Sequence, residues 1–132
     1  MLWRPKIAPE VRLGPIPCLL GPGFGLSGER VNLPDPVAIA VISQLADWVF
    51  LDRWRQLFEA EWPHPWCIGI AGGCGADQVR DLVAPSRQAN VVLWPEATIE
   101  SPFAAVLSDD HFKIQVLGQA DEDAWERFLN YA

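Results

Sequence analysis

Apolar residues in this chain come in short runs, and the spacing inside each run changes along the sequence. Trp66, Cys67, Ile68, Gly69, Ile70 and Ala71 are uninterrupted, as expected of a strand buried on both faces. Over residues 75–84, Ala76, Val79, Leu82 and Val83 recur at helical spacing. Residues 90–94 read as a second buried strand. Ser101 and Pro102 read as the cap and first turn of a short helix carrying Phe103, Val106 and Leu107. Phe112, Ile114 and Val116 alternate with Lys113 and Gln115 in a third strand. After Gly118, residues 121–131 form a last helix with Trp125, Phe128 and Leu129 on one stripe. This β-α-β-α-β-α order over residues 66–131 predicts an α/β fold with a three- to four-stranded, mostly parallel sheet flanked by helices.

Upstream, residues 36–62 read as helical. Asp35 supplies a capping oxygen, Pro36 suits the first helical position, and no breaker follows until Pro63. The apolar face does not stay put, however. Val37, Ala38, Val41, Ile42, Leu45, Trp48 and Val49 share one side at about 100° per residue, while Phe50, Leu51, Trp54, Leu57 and Phe58 lie roughly opposite. A kink or break near Val49 to Leu51 reconciles the two sets, as does one long helix held between the core and a second subunit. The break is the expectation because it needs no partner. Residues 1–35 hold six prolines and five glycines, which exclude a long helix and predict an irregular arm. Only residues 16–20 suit a short strand there. Phe24, Trp3 and Leu13 are its apolar anchors.

The length, 132 residues, suits one domain (1–132) that buries roughly two-thirds of its unfolded surface. No apolar run approaches a membrane span, and Met1 to Lys6 lacks the features of a signal peptide. Three cysteines, Cys18, Cys67 and Cys74, show no paired spacing, so reduced thiols in a cytoplasm are expected. The net charge of −7 is concentrated at the C-terminal end, where residues 96–132 carry eight acidic groups against Lys113 and Arg127. That balance disfavours nucleic acid and admits a basic protein partner.

Candidate chemistry centres on Gly72-Gly73-Cys74-Gly75-Ala76-Asp77, between a strand and a helix. Free N–H groups at such a turn can hold a phosphate or carboxylate with help from the helix dipole. If the strands are parallel, the loops at their carboxyl ends add Glu96 and Asp121 to Gly72, Gly73, Cys74, Gly75 and Asp77, with Arg80 nearby. No Walker lysine and no G-x-G-x-x-G spacing is present. The run resembles the Gly-Gly-x-x-Gly-Ala-Asp phosphate loop of the nucleotide-binding LOG/DprA-like families over seven residues at most. It is one residue short and lacks the upstream glycine turn. The bland alternative is a positive-φ turn with close helix–strand packing. Cys74 sits where a thiol is acidified, but His64 and His111 precede their strands and fall at the opposite edge. No cysteine or histidine pair has zinc-ligand spacing, so no metal site is expected.

Seven tryptophans are the remaining oddity, and core packing is their first explanation. Phe50, Trp54, Arg55 and Phe58, on the displaced helical face, form a candidate interface of aromatics beside arginine. With no catalytic constellation complete, the sequence favours a cytoplasmic binding protein that self-associates, as a homodimer, through this face. A domain holding a phosphorylated or carboxylated small molecule at Gly72–Gly75 is the alternative. No cofactor is specified.

Overall fold

The computed structural model describes residues 9–73 and 75–131. Its strands are β1 (Glu10–Pro17), β2 (Gly23–Phe24), β3 (Arg30–Val31), β4 (Val37–Ile42), β5 (Trp66–Ala71), β6 (Val91–Trp94), β7 (Phe103–Ser108) and β8 (His111–Leu117). Among the described residues three α-helices accompany them: α1 (Trp48–Glu61), α2 (Ala76–Leu82) and α3 (Glu122–Leu129). Short 3-10 turns occupy Leu45–Asp47 and Pro85–Asn90. All eight strands join one sheet in the order β1-β8-β7-β4-β5-β6-β2-β3. Among the described residues only β4–β5 and β5–β6 pair parallel. The other neighbours pair antiparallel. The expected three- to four-stranded, mostly parallel sheet is thus corrected to an eight-stranded, mostly antiparallel mixed one.

Two segments account for the difference. Val37–Ile42 was expected to open a helix, yet all six of its residues are buried in a central strand. A continuous apolar run fits a helical period and a strand alike, so periodicity cannot separate them. The β-branched Val37, Ile39, Val41 and Ile42 and the shortness of the run favour the strand. The displaced apolar face of residues 36–62 is therefore a change from strand to helix: β4 ends at Ile42 and α1 begins at Trp48. The break expected near Val49 to Leu51 thus falls before α1, which runs unbroken through those residues. Phe103–Ser108, expected as a helix after Ser101 and Pro102, is β7. Asp109 and Asp110, with φ of 53° and 60°, reverse the chain in two residues, and Ser108 pairs with His111. Aspartate is among the few non-glycine residues that accept this left-handed backbone, and two in a row suit a tight hairpin. Inserting β7 between β4 and β8 makes that half of the sheet antiparallel.

The arm is also more regular than expected. β1 pairs with β8 from Glu10 opposite Leu117 to Pro17 opposite His111, with an irregularity between Leu13 and Ile16. Trp3 lies outside the described residues.

Each face of the sheet carries its own core. On one, Ala38, Ile42, Ile68, Ile70, Val106, Ile114 and Val116 meet Leu51, Trp54 and Phe58 of α1, Val79 of α2 and Trp125 and Phe128 of α3. On the other, Ile39, Val41, Cys67, Val92, Trp94, Phe103 and Phe112 lie beneath Leu20, Leu33, Ala97 and Ile99. Among the described residues no helix covers that second face; connecting segments do. Gly69 permits the close packing there, since a Cβ on it would collide with the Trp94 ring and the Val92 carbonyl. No helix among the described residues is long and apolar enough to cross a membrane.

Candidate functional site

The glycine turn does form, between β5 and α2, and Gly72 has φ +87°. Its N–H, however, donates to the Trp94 carbonyl at 2.9 Å, closing the β5–β6 pair instead of facing a ligand. The helix behind it, α2, has only seven residues, so its dipole is short. Arg80 donates to Asp77 Oδ1 at 3.1 Å and to the Leu26 carbonyl at 2.8 Å, which ties α2 to the segment before β3. Gly73, Gly75 and Asp77 are exposed, and Cys74 lies outside the described residues.

Glu96 is exposed on the neighbouring loop, close enough that a Cβ on Gly21 would sit 3.8 Å from its Oε2. Asp121 caps α3 by accepting from the Ala124 N–H at 2.8 Å. β8 runs in the direction of β4 and β5, so Asp121 does follow a carboxyl end at the predicted edge. β7 and β4 nevertheless separate β8 from β5, a gap of about 14 Å at ordinary strand spacing. Both parallel crossovers step the same way, with α1 and α2 on one face. That arrangement creates no reversal of strand order between them, where open α/β sheets form their ligand crevice.

The aromatic face of α1 is likewise put to internal use. Trp54 is 1% exposed and Phe58 is fully buried. Trp54 packs on Phe58, Trp125 and Phe128 with ring centroids 5.3 to 5.9 Å apart. They belong to the protein's own core and are not available as the expected interface. Arg55 turns along the helix to Asp52 and Glu59, each at 2.8 Å. Phe50, half-buried, lines a groove of about 640 Å³ between α1 and Gln119–Ala120. Its polar groups are already paired with one another, Arg53 to Gln119 and Gln56 to Asp52.

A concavity with uncommitted polar groups and a surplus of carboxylates lies on the helix-free face. A cleft of about 390 Å³ opens between the segment from Cys18 to Gly23, the segment from Arg30 to Asp35, Trp94 at the end of β6, and the β7–β8 turn. Leu20, Val31, Leu33 and Leu107 give it apolar walls; Arg30, Asn32, Asp35, Asp109 and Asp110 give it polar ones. Asp35 does not cap a helix. Its carboxylate accepts from Ser108 Oγ at 2.7 Å and from the Asp109 N–H at 3.2 Å, fastening the entry of β4 to the hairpin tip. Those two hydrogen bonds, that from Ser108 first, hold its carboxyl below the ordinary range. Among the described residues the side chains of Arg30, Asn32 and Asp110 meet no hydrogen-bond partner.

Cys18 also lines the cleft, and its N–H donates to the Asp110 carbonyl at 3.0 Å. Burial pushes its thiol pKa up, which keeps the sulfur protonated and weakly nucleophilic. Burial raises the Cys67 thiol to about 12. His111 is engaged with the Asp109 carbonyl through Nδ1 at 2.7 Å. The cleft therefore offers fixed negative charge and apolar surface; its carboxylate at Asp35 is too acidic, and its thiol too basic, for proton transfer near neutral pH. Asp35 has the local sequence of a helix cap, and nothing near it in the chain points to the β7–β8 turn. Asp35 and Ser108 are 73 residues apart in the chain, and only recognition of β7 as a strand would bring them together.

No protein-family model matches the chain, and no curated protein matches it in sequence. The short likeness to the LOG/DprA-like phosphate loop is not supported by any of these comparisons.

Proposed function

We propose that this chain is a binding protein whose helix-free cleft receives a basic, partly apolar segment of a partner protein. The observation that carries the reading is the ring of Asp35, Asp109 and Asp110, with Arg30 in the lining and the charge of Lys113 acting on Asp35, around apolar walls of Leu20, Leu33 and Leu107. A cavity of this size lies within the common range for ligand sites, and its excess of carboxylates selects a cation. The net charge of −7 adds long-range attraction of the same sign. A phosphorylated or carboxylated ligand fits less well, since it would meet carboxylates at this rim and an already committed N–H at Gly72.

Calorimetric titration with acetyl-Lys-Leu-Lys-Leu-amide tests the proposal, with the Glu-for-Lys peptide as control. The basic peptide is expected to bind, more weakly as salt rises. Replacing both Asp109→Asn and Asp110→Asn should weaken it about tenfold. Asparagine tolerates the same left-handed backbone, so the turn is retained. Equal behaviour of the two peptides, or binding unchanged in the double variant, would contradict the reading.

A further inference from the structure

We propose that β1 is a self-pairing edge, on which a second copy of this chain adds its own β1 antiparallel about a two-fold axis at Val11. This goes beyond the cleft and uses a different surface. Among the described residues β1 ends the sheet and pairs only with β8. Antiparallel pairing directs alternate backbone groups toward β8 and leaves the intervening ones on the outer edge, ready to accept another strand. At the other end of the sheet, β3 has two residues and offers no comparable edge.

The length and register of such a pairing are both set by the sequence. Pro9 stands just before the strand, and Pro15 and Pro17 lie in its second half, where they lack the N–H a partner needs. The usable edge is residues 10–14. Within it, Glu10 and Arg12 share one face and are joined to each other at 2.9 Å, both side chains at least half exposed. With the axis at Val11, Glu10 of each copy faces Arg12 of the other, giving two opposite-charge cross-strand pairs. An axis at Arg12 sets arginine against arginine, and an axis at Glu10 sets glutamate against glutamate. A slip of one residue turns the charges to the wrong face. The charge pattern is complementary to itself in one register alone.

The apolar side agrees with this register. Val11 packs on the helix-covered core, and Leu13, on the same face, is 55% exposed. The second copy would bring Val11 against Val11 and extend apolar cover toward Leu13.

The test is sedimentation equilibrium of the full chain through the micromolar range, with R12E, E10R and the exchanged variant E10R/R12E. Wild type is expected to be dimeric. Each single reversal, which sets like charges opposite each other twice, should raise the dimer dissociation constant tenfold or more, and the exchange should restore it. Circular dichroism of each variant confirms that the fold is retained, and the exchanged variant separates lost pairing from lost folding. Monomeric wild type overturns the proposal. So does a single reversal that leaves the dimer intact, which places the contact elsewhere, or an exchanged variant that stays monomeric while folded.

Discussion

Asp35 shows how far a residue's role departs from its local sequence. Followed by proline, it has the form of a helix cap, yet it secures a hairpin 73 residues away through Ser108. Its carboxyl pKa is lowered in the folded protein. Its contribution to stability is therefore present above the unfolded carboxyl value and is lost as pH falls through the folded one. Ser108→Ala should move the Asp35 titration, followed by carboxyl NMR, up toward the ordinary aspartate range. No movement would show that the hydroxyl does not hold the carboxylate. Glycines divide in the same residue-specific way. Gly72→Ala should cost about 1 kcal/mol because its φ is positive. Gly73 has open space around it, so Gly73→Ala should be nearly neutral by denaturant unfolding. Gly69→Ala, directed into Trp94 and Val92, should cost more than either.

Elements were legible where one period was unambiguous. The alternation of Phe112, Ile114 and Val116 gives β8, and the stripe of Trp125, Phe128 and Leu129 gives α3. Where every residue in a run is apolar, burial on both faces erases the period and the flanks decide. β5, set off by Pro65 and Gly72, reads as a strand, whereas no glycine or proline separates β4 from α1 and the two read as one helix. β7 failed for a second reason: Ser101 and Pro102 supply helix-start chemistry, and pairing with β4 and β8 overrides it. The aromatic face of α1 was found correctly, but its partner could not be read, since α3 lies more than 60 residues on. That partner makes a distinct prediction. The indole N–H groups of Trp54 and Trp125 are buried without a hydrogen-bond acceptor among the described residues. Trp54→Phe removes both volume and an unsatisfied donor, so its net cost should stay within about 1 kcal/mol. Phe58→Ala, which only opens a cavity, should cost about 3–5 kcal/mol. Equal losses in thermal unfolding would show that the indole N–H is satisfied after all.

At the scale of the whole molecule, helices protect one face of the sheet and connecting segments line the other. That asymmetry moves the candidate site away from the glycine turn that dominates the sequence. It gathers Arg30, Asp35, Asp109 and Asp110, which are scattered along the chain, around one cleft. Amide chemical-shift mapping during titration with acetyl-Lys-Leu-Lys-Leu-amide distinguishes the two locations directly. Binding in the cleft should shift the amides of Gly21, Asn32, Ser108 and Asp110 and leave those of Gly73 and Gly75 in place. Shifts confined to the turn at Gly73 and Gly75, with the cleft silent, would contradict the account.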